Sequence, residues 1–250
     1  MLDPHQPLGW LIRLPFKLIS PSSVMRVLTG PNRGLKWVVG AGNQSCWLGT
    51  YESYHAKAIA ARVKPGMTVF DVGAHAGYYT LMLSRLVGPQ GRVFAFEPNP
   101  ANAATLRKHL HLNDTRNVEM IEAAVTDRAG ETFFRTNDDA GKYGYMGKIS
   151  ESGTPVRTVR LDDFPTPDLI KMDIEGAETL ALLGAARLLS EHKSTIFLAL
   201  HDGAFEQAPA ILKQHGYRIE PVGERELWGT PSSRAISVPI ESERGSRFLF

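Results

Sequence analysis

The stretch Thr68-Val69-Phe70-Asp71-Val72-Gly73-Ala74-His75-Ala76-Gly77 decides the fold of this chain. Its first five residues form a short, mostly apolar and β-branched run, which predicts a buried strand. Gly73 and Gly77 then bracket a tight turn, because glycine permits the backbone conformations that such a turn needs. An apolar stripe with helical spacing follows at Tyr79, Leu83 and Leu86. Strand, glycine turn and helix in this order predict the first half of a βαβ unit.

The same alternation of strands and helices continues along the chain. Further strands are predicted at Arg92–Phe96, 118–125, 169–174, 195–200, Tyr217–Pro221 and 247–250, and helices at 54–63, after Pro100, at 178–189 and at 205–215. This order predicts an α/β fold with a doubly wound, seven-stranded, mostly parallel sheet. The alternation of strands and helices is interrupted at 127–167, an insertion in which short strands are predicted at 131–135 and 156–161.

The composition limits the possible classes of protein. The 250 residues include 43% hydrophobic and 22% charged residues, with a net charge of +2. These values are typical of a globular protein and give no electrostatic surface for nucleic acid. The lone Cys46 excludes an internal disulfide and favours a reducing compartment. No apolar run reaches the roughly 18 residues of a membrane-spanning helix, so a cytoplasmic protein is expected.

The first 64 residues differ from the region 65–250, which we expect to be the main domain. A hairpin is predicted at 35–39 and 45–48, ahead of the helix at 54–63. The apolar segment 10–19 carries two basic residues. It could be an arm docked on the domain, a homodimer contact or a peripheral membrane anchor, and the sequence leaves all three open.

Polar residues cluster where the predicted strands end. Asp71, Glu97, Asp173 and the pair His201-Asp202 each follow an apolar strand. In an open α/β sheet, ligands bind at the carboxyl ends of the strands. These residues therefore predict a binding site at that edge of the sheet.

The pattern around the first turn favours one cofactor. The chain has no G-x-G-x-x-G triplet, which argues against a nicotinamide dehydrogenase. Asp71 ahead of the glycines would repel phosphates and suit a ligand with an ammonium group, and Glu97 can accept both hydroxyls of a ribose. Asn99 already provides the cap of the helix that starts at Pro100, so Glu97 is free for the ribose. Together these residues predict S-adenosylmethionine.

The strand at 169–174 carries an unusual charged face. Lys171, Asp173 and Glu175 alternate with apolar residues, whereas a central parallel strand is normally apolar on both faces. A purely structural interpretation is a buried Lys171–Asp173 ion pair, with Glu175 capping the next helix. Asp173 lies nearest the strand's end, and His201 would reach the same edge. We predict Asp173 as the first candidate for the general base and His201 as the second.

These residues resemble the FkbM family of class I methyltransferases, over roughly residues 51–202. The resemblance rests on four blocks, Val69–Thr80, Phe96-Glu97-Pro98-Asn99-Pro100, Ala123-Ala124-Val125-Thr126-Asp127 and, most specifically, Lys171-Met172-Asp173-Ile174-Glu175-Gly176-Ala177-Glu178. It implies a Rossmann-like seven-stranded sheet with an antiparallel last strand. It also implies O-methylation of hydroxyls on sugars or other small-molecule natural products, with S-adenosylmethionine as donor.

The expected site divides into three groups of residues. The expected cofactor-binding residues are Asp71, Gly73, His75, Gly77, Glu97, Asn99 and the backbone around Ala124, the expected catalytic residues are Asp173, His201 and Glu175, and the expected acceptor-binding residues are Glu52, Tyr143 and Tyr145. Glu175 is expected to orient the substrate. The segment 140–147 is either a lid or a surface hairpin. No spaced set of metal ligands is visible, so no metal is predicted.

Two positions depart from the family's usual pattern. The chain has His75 where the family usually carries Asn, and Ala199 where it usually carries a glutamate two residues before the histidine. The second departure leaves open a cofactor-binding module without turnover. An N-methyltransferase on the same scaffold is the other alternative.

Overall fold

The computed structural model describes residues 19–136, 147–201 and 203–232. Among these residues the central sheet has seven strands, which are β3 (Thr68–Val72), β4 (Arg92–Phe96), β5 (Val118–Ile121), β10 (Leu169–Met172), β11 (Thr195–Ala199), β12 (Tyr217–Pro221) and β13 (Glu226–Pro231). Their spatial order is β12-β13-β11-β10-β3-β4-β5. All neighbouring strands are parallel except those paired with β13, which is antiparallel to both β11 and β12. The predicted mostly parallel α/β sheet is confirmed.

The strand order reverses between β3 and β10. From β3 the chain proceeds through β4 to β5 on one side, and later from β10 to β11 on the other side. Because crossovers between parallel strands are right-handed, the two directions place helices on opposite faces of the sheet. This switch point is where an open α/β sheet forms its binding crevice.

Apart from residues 44–48, the helices lie within or close to the segments that the apolar stripes predict. They are α1 (Gln44–Leu48), α2 (Ser53–Ala60), α3 (Tyr78–Val87), α4 (Pro100–Leu112), α5 (Glu178–Leu183), α6 (Ala186–Ser190) and α7 (Gln207–Gln214), with a 3-10 turn at Leu161–Asp163. The side chain of Asn99 accepts hydrogen bonds from the amides of Ala101 and Asn102, and Pro100 occupies the first turn. The predicted cap of α4 is therefore confirmed.

Two smaller sheets flank the central one. The insertion forms a four-stranded sheet of β6 (Ala124–Val125), β7 (Gly130–Thr136), β8 (Gly147–Ser150) and β9 (Thr154–Val159). In the N-terminal region, β1 (Val24–Arg26) pairs with β2 (Lys36–Val38). The first and second halves of the predicted strand 118–125 thus belong to different sheets, because β6 pairs with β9 instead of β4.

Two other element predictions need correction. Residues 45–48 form a helix, not a strand, because the Asn43 side chain accepts the amide of Ser45 and starts a helical turn. The predicted helix at 178–189 is divided at Gly184, where a Cβ would collide with the carbonyl of Thr126. Within the described residues the last strand of the sheet is β13; the predicted strand at 247–250 lies outside them and stays a prediction.

The core lies on both faces of the central strands. Leu169, Ile170 and Met172 of β10 are buried, as are Val69, Phe70 and Val72 of β3. In the described part of the chain, no helix combines the length and the apolar character that crossing a bilayer requires. Segment 10–18 of the predicted arm is outside the described residues.

Candidate functional site

A cleft of about 540 Å³ opens at the carboxyl ends of the strands around the switch point. Its volume lies within the range of about 300–1,000 Å³ that small-molecule sites occupy. The cleft is lined by residues from the β3–α3 turn, the ends of β4, β10 and β11, the start of β13 and the N-terminal region. Among the residues expected from the sequence, those that line it are Gly73, His75, Glu97, Asp173, Glu175, His201 and Glu52.

The turn from Gly73 to Gly77 forms one wall of the cleft. Gly73 and Gly77 have positive φ angles of 83° and 95°. A Cβ at Gly73 would collide with the backbone carbonyl of Asp173, so the turn lies directly against the end of β10. The amides of Gly73 and Ala74 donate to the carbonyl of Phe96 at 3.0 and 2.9 Å, which joins the turn to β4. Glycine at 73 is therefore needed for close contact between two strand ends.

Glu97 is held at this wall by three hydrogen bonds. Its carboxylate accepts the amide of His75 at 2.7 Å, the amide of Asn99 at 2.9 Å and the side-chain amide of Asn102 at 3.3 Å. Glu97 is buried, and burial raises its pKa despite these donors. Burial likewise lowers the pKa of the neighbouring His75 to about 4, so this imidazole is neutral at pH 7. Glu97 is a fixed, water-poor acceptor that faces the cleft.

Asp71 does not line the cleft, which corrects the expectation that it binds the cofactor. Its carboxylate is fully buried, 3.2 Å from the ammonium of Lys171, and accepts the Thr80 hydroxyl at 2.6 Å. Lys171 also donates to the carbonyl of Gly73 at 2.9 Å. Burial alone would lower the pKa of Lys171, but the carboxylates of Asp71, Asp173 and Glu52 raise it above its usual value. Asp71 and Lys171 thus support the glycine turn from beneath.

The partner of Lys171 is a second correction, since Asp173 was the expected one. In parallel β10 and β3, Lys171 lies directly opposite Asp71, so the two side chains project from the same face. Three other expected cofactor residues also lie outside the cleft. Asn99 is buried as the cap of α4, and Ala124 lines a smaller adjoining cavity together with Ala123 and Pro98. Gly77 starts α3 behind the turn.

His201 lies at the centre of a cluster of carboxylates at the ends of β10 and β11. Its Nε2 is 3.5 Å from Asp173 and 3.6 Å from Glu175, and its Nδ1 is 2.7 Å from Glu178. The hydrogen bond to Glu178, followed by the charges of Asp173 and Glu175, raises the pKa of His201 to about 9. The imidazole is therefore protonated at neutral pH. Burial raises the pKa of Glu175 above its usual value.

Glu178 is a site residue to which sequence reasoning assigned no role. It is fully buried at the start of α5, and it also accepts the amide of Gly176 at 3.1 Å. The hypothesis that Glu175 caps this helix is wrong: Glu175 has a φ of 56° and turns into the cleft, while Glu178 binds the turn before α5. Its place three residues after Glu175, in the most specific block of the resemblance, was the pattern that could have indicated it.

The structure therefore supplies His201 with a carboxylate although residue 199 is alanine. Asp173, Glu175 and His201 also each offer one atom within 4.8 Å of the others, close enough to share a cation. Sequence reasoning placed these three residues at one edge of the sheet but did not indicate a metal site, because their closeness depends on how β10 pairs with β11. The expectation that the protein needs no metal stays a prediction.

The N-terminal region contributes the remaining wall of the cleft. Glu52 lies there as expected and accepts the hydroxyl of Tyr79 at 2.7 Å. Tyr78 also lines the cleft, and its buried hydroxyl has no hydrogen-bond partner among the described residues. Two residues that sequence reasoning missed, His55 and Glu226, line the same wall. Tyr143 and Tyr145 are outside the described residues.

Comparison with known proteins gives one family match. The family model described as "Methyltransferase FkbM domain" matches residues 71–219, more than half of the chain. Among curated proteins, 2-O-methyltransferase NoeI from Sinorhizobium fredii is 27% identical over 160 residues, covering 55% of this chain and 65% of that protein. The 31-O-demethyl-FK506 methyltransferase FkbM from Streptomyces tacrolimicus is 26% identical over 196 residues, covering 63% of this chain and 75% of that protein.

Among solved structures, a methyltransferase FkbM from Methylobacillus flagellatus superposes with a TM-score of 0.50 at 23% identity. The superposition covers 67% of this chain and 44% of that chain. This likeness shows the fold alone, a Rossmann-like α/β sheet. The chain spans just under two thirds of the length of NoeI and less than half of the solved structure.

Proposed function

Because this chain belongs to the methyltransferase FkbM domain family, we propose that it transfers a methyl group from S-adenosylmethionine to a hydroxyl of a small-molecule or glycan acceptor. One observation carries the proposal: a single cleft at the switch point has Glu97 at one end and the Asp173–His201 cluster beyond it. The relatives NoeI and FkbM, whose names describe O-methylation of a 2-hydroxyl and of demethylated FK506, support oxygen as the methylated atom.

The residues around Glu97 fit the cofactor. We call Gly73, His75 and Glu97 the cofactor end of the cleft. Glu97 would hold the ribose hydroxyls, because a buried carboxylate with fixed orientation accepts two such donors. The unpartnered hydroxyl of Tyr78 offers a further polar contact in the cleft. The backbone of the glycine turn would line the methionine portion, and the wall near Ala124 would line the adenine.

We call Asp173, Glu175, His201, His55 and Glu226 the acceptor end. When bound, S-adenosylmethionine supplies a methyl group that its sulfonium already activates. The chain then has to align the acceptor oxygen, exclude water and take up the hydroxyl proton. Each of these tasks falls to side chains at the end of β10 and β11.

Asp173 is the group we assign to receive the proton. His201 has a pKa of about 9 and carries its own proton at pH 7, so it is a poor acceptor there. Its imidazolium, fixed by Glu178, stands 3.5 Å from Asp173 and keeps that carboxylate oriented. Glu175 extends the polar surface of the cluster, where it can orient the acceptor.

Calorimetric titration of S-adenosylmethionine into the protein tests the cofactor assignment. We expect saturable binding by the wild type and, for Glu97→Ala, a weakening of roughly 10- to 150-fold, the equivalent of about 1.5–3 kcal/mol for a hydrogen bond to a charged group. Glu119→Ala is the matched control, since it removes an exposed carboxylate of the neighbouring strand. Glu97→Gln, checked by thermal unfolding, separates lost contacts from lost folding. Absence of binding by the wild type, or equal binding by Glu97→Ala, would contradict the assignment.

A further inference from the structure

His55 and Glu226 lie next to each other in the cleft wall, and methyl transfer itself gives this pair no role. His55 lies on α2 and Glu226 begins β13, and their Nε2 and Oε2 atoms are 3.5 Å apart. Each side chain keeps about a fifth of its surface exposed, at 20% and 21%. Both line the cleft, so a bound molecule can contact them.

The sheet holds Glu226 beside a gap left by a small residue. Glu226 lies directly opposite Ala199 in the antiparallel pair of β13 and β11, so both side chains project from the same face. The methyl group of Ala199 leaves room at the end of β11. A Cβ at Gly223 would collide with the carboxylate of Glu226. The amides of Val222 and Gly223 donate to the Glu226 carbonyl at 2.8 and 3.2 Å, which fixes its backbone.

Strand spacing places this pair far from Glu97. Neighbouring strands are about 4.8 Å apart, so the four steps from β4 to β13 span about 19 Å. Asp173, at the end of β10, lies at the middle of that span. A cofactor that reaches from Glu97 to Asp173 therefore leaves the half of the cleft next to Glu226 for the other reactant.

The half of the cleft next to Glu226 carries more acidic than basic groups. Its walls present the carboxylates of Glu52, Asp173, Glu175 and Glu226. Apart from Lys171, which the buried Asp71 neutralises, the basic groups that face this half among the described residues are the two imidazoles of His55 and His201. The carboxylates outnumber the imidazoles even if both of these are protonated. An acceptor with a negative charge would be repelled here.

We infer that His55 and Glu226 select the acceptor, holding a hydroxyl or amino group of an uncharged or cationic polyol and rejecting anionic ones. The inference rests on the proposed methyltransferase function and adds the class of its substrate. Both residues lie outside positions 71–219, the part of the chain that matches the family model.

Binding of three matched probes tests the inference. Glucosamine, glucose and glucuronate are titrated separately into protein saturated with S-adenosylhomocysteine, and saturation-transfer NMR measures their affinities. We expect glucosamine and glucose to bind at least about tenfold more tightly than glucuronate, and Glu226→Lys to reverse the order of glucosamine and glucuronate. His55→Gln should weaken all three. Glu220→Lys, at a partly exposed position on neighbouring β12, is the control that should leave the order unchanged.

Three results would overturn the inference: equal affinity for glucuronate and glucosamine, the same change in Glu220→Lys as in Glu226→Lys, or no probe affinity that depends on residue 226. S-adenosylhomocysteine binding is measured first by calorimetry, without any probe. Failure at that step would contradict the proposed function, whereas normal cofactor binding with an unchanged probe order would contradict the selection by His55 and Glu226 alone.

Discussion

The two ends of the cleft are built in different ways. The cofactor end comes from one continuous piece of chain, residues 73–97, and backbone amides fix it: Glu97 receives the amides of His75 and Asn99 and is 4% exposed. The acceptor end collects side chains from α2, β10, β11, β13 and the turn before α5, and these are only partly buried. A rigid end can bind one constant molecule, while an end assembled from separate elements can change its acceptor by substitution of single residues.

We expect the largest effect, a loss of catalytic rate without a loss of cofactor affinity, from a substitution of Asp173 at the acceptor end. Asp173→Asn removes the proposed proton acceptor but keeps the shape of the side chain, so kcat should fall by roughly 10²- to 10⁴-fold. Affinity for S-adenosylmethionine should stay within about twofold, because the substitution lies at the acceptor end. Transfer of a labelled methyl group to the best hydroxyl acceptor in a panel, with calorimetry alongside, measures both quantities. Full activity in Asp173→Asn would remove Asp173 as the base.

The next largest effect is a loss of stability, which we expect when the buried ion pair beneath the cofactor end is broken. Asp71→Asn leaves the ammonium of Lys171 buried without its ion pair, and loss of one partner of such a pair costs about 3–5 kcal/mol of unfolding free energy. Urea denaturation measures the change. The exposed pair Arg92–Glu119 is the control, where Glu119→Gln should cost about 0–1 kcal/mol.

The double variant Asp71→Leu with Lys171→Met removes both charges together. It should recover part of the stability lost in Asp71→Asn, because apolar groups then replace the pair. If Asp71→Asn costs no more than Glu119→Gln, the cofactor end does not depend on this buried pair.

The smallest effect is a change in the pKa of His201 at the acceptor end. His201 should titrate near pH 9, and Glu178→Gln should move its pKa back toward the usual 6.5, because the hydrogen bond to Glu178 is the main cause of the rise. NMR titration of the imidazole gives both values. Since the folded-state pKa is raised, the stabilisation from His201 is complete below about pH 6.5 and is lost as pH rises through about 9.

The dependence of rate on pH separates the two candidate bases. If Asp173 accepts the proton, kcat should be level from about pH 6.5 to 8 and should fall above about 9, where His201 loses its charge. A rate that instead rises tenfold per unit between pH 7 and 9 would identify neutral His201 as the base and would contradict the assignment to Asp173.

The cofactor end could be predicted from sequence because the residues that form it lie in one continuous segment of the chain. A strand, two glycines and a carboxylate at the next strand end are visible in one chain segment, and the structure places Gly73, His75 and Glu97 in the cleft accordingly. The partner of Lys171 could not be predicted this way. It depends on the register of β10 against β3, which places Asp71 opposite it across about 100 residues of sequence.

The acceptor end was predicted where it coincides with strand ends, at Asp173, Glu175 and His201. Glu178 was not predicted as a site residue, because a carboxylate in the first turn of a helix normally indicates only a favourable interaction with the helix dipole. Glu226 was not predicted, because Gly229 and Pro231 are residue types that argue against a strand in this segment. A Cβ at Gly229 would lie 3.1 Å from the Leu212 side chain, so a larger residue there would crowd the contact between β13 and α7.

A crystal structure of the protein with bound S-adenosylmethionine tests the central claim most directly. The account predicts density with the ribose hydroxyls within hydrogen-bond distance of the Glu97 carboxylate and the sulfonium methyl directed toward Asp173 and His201. A ribose bound elsewhere, or a methyl group directed away from the ends of β10 and β11, would contradict it.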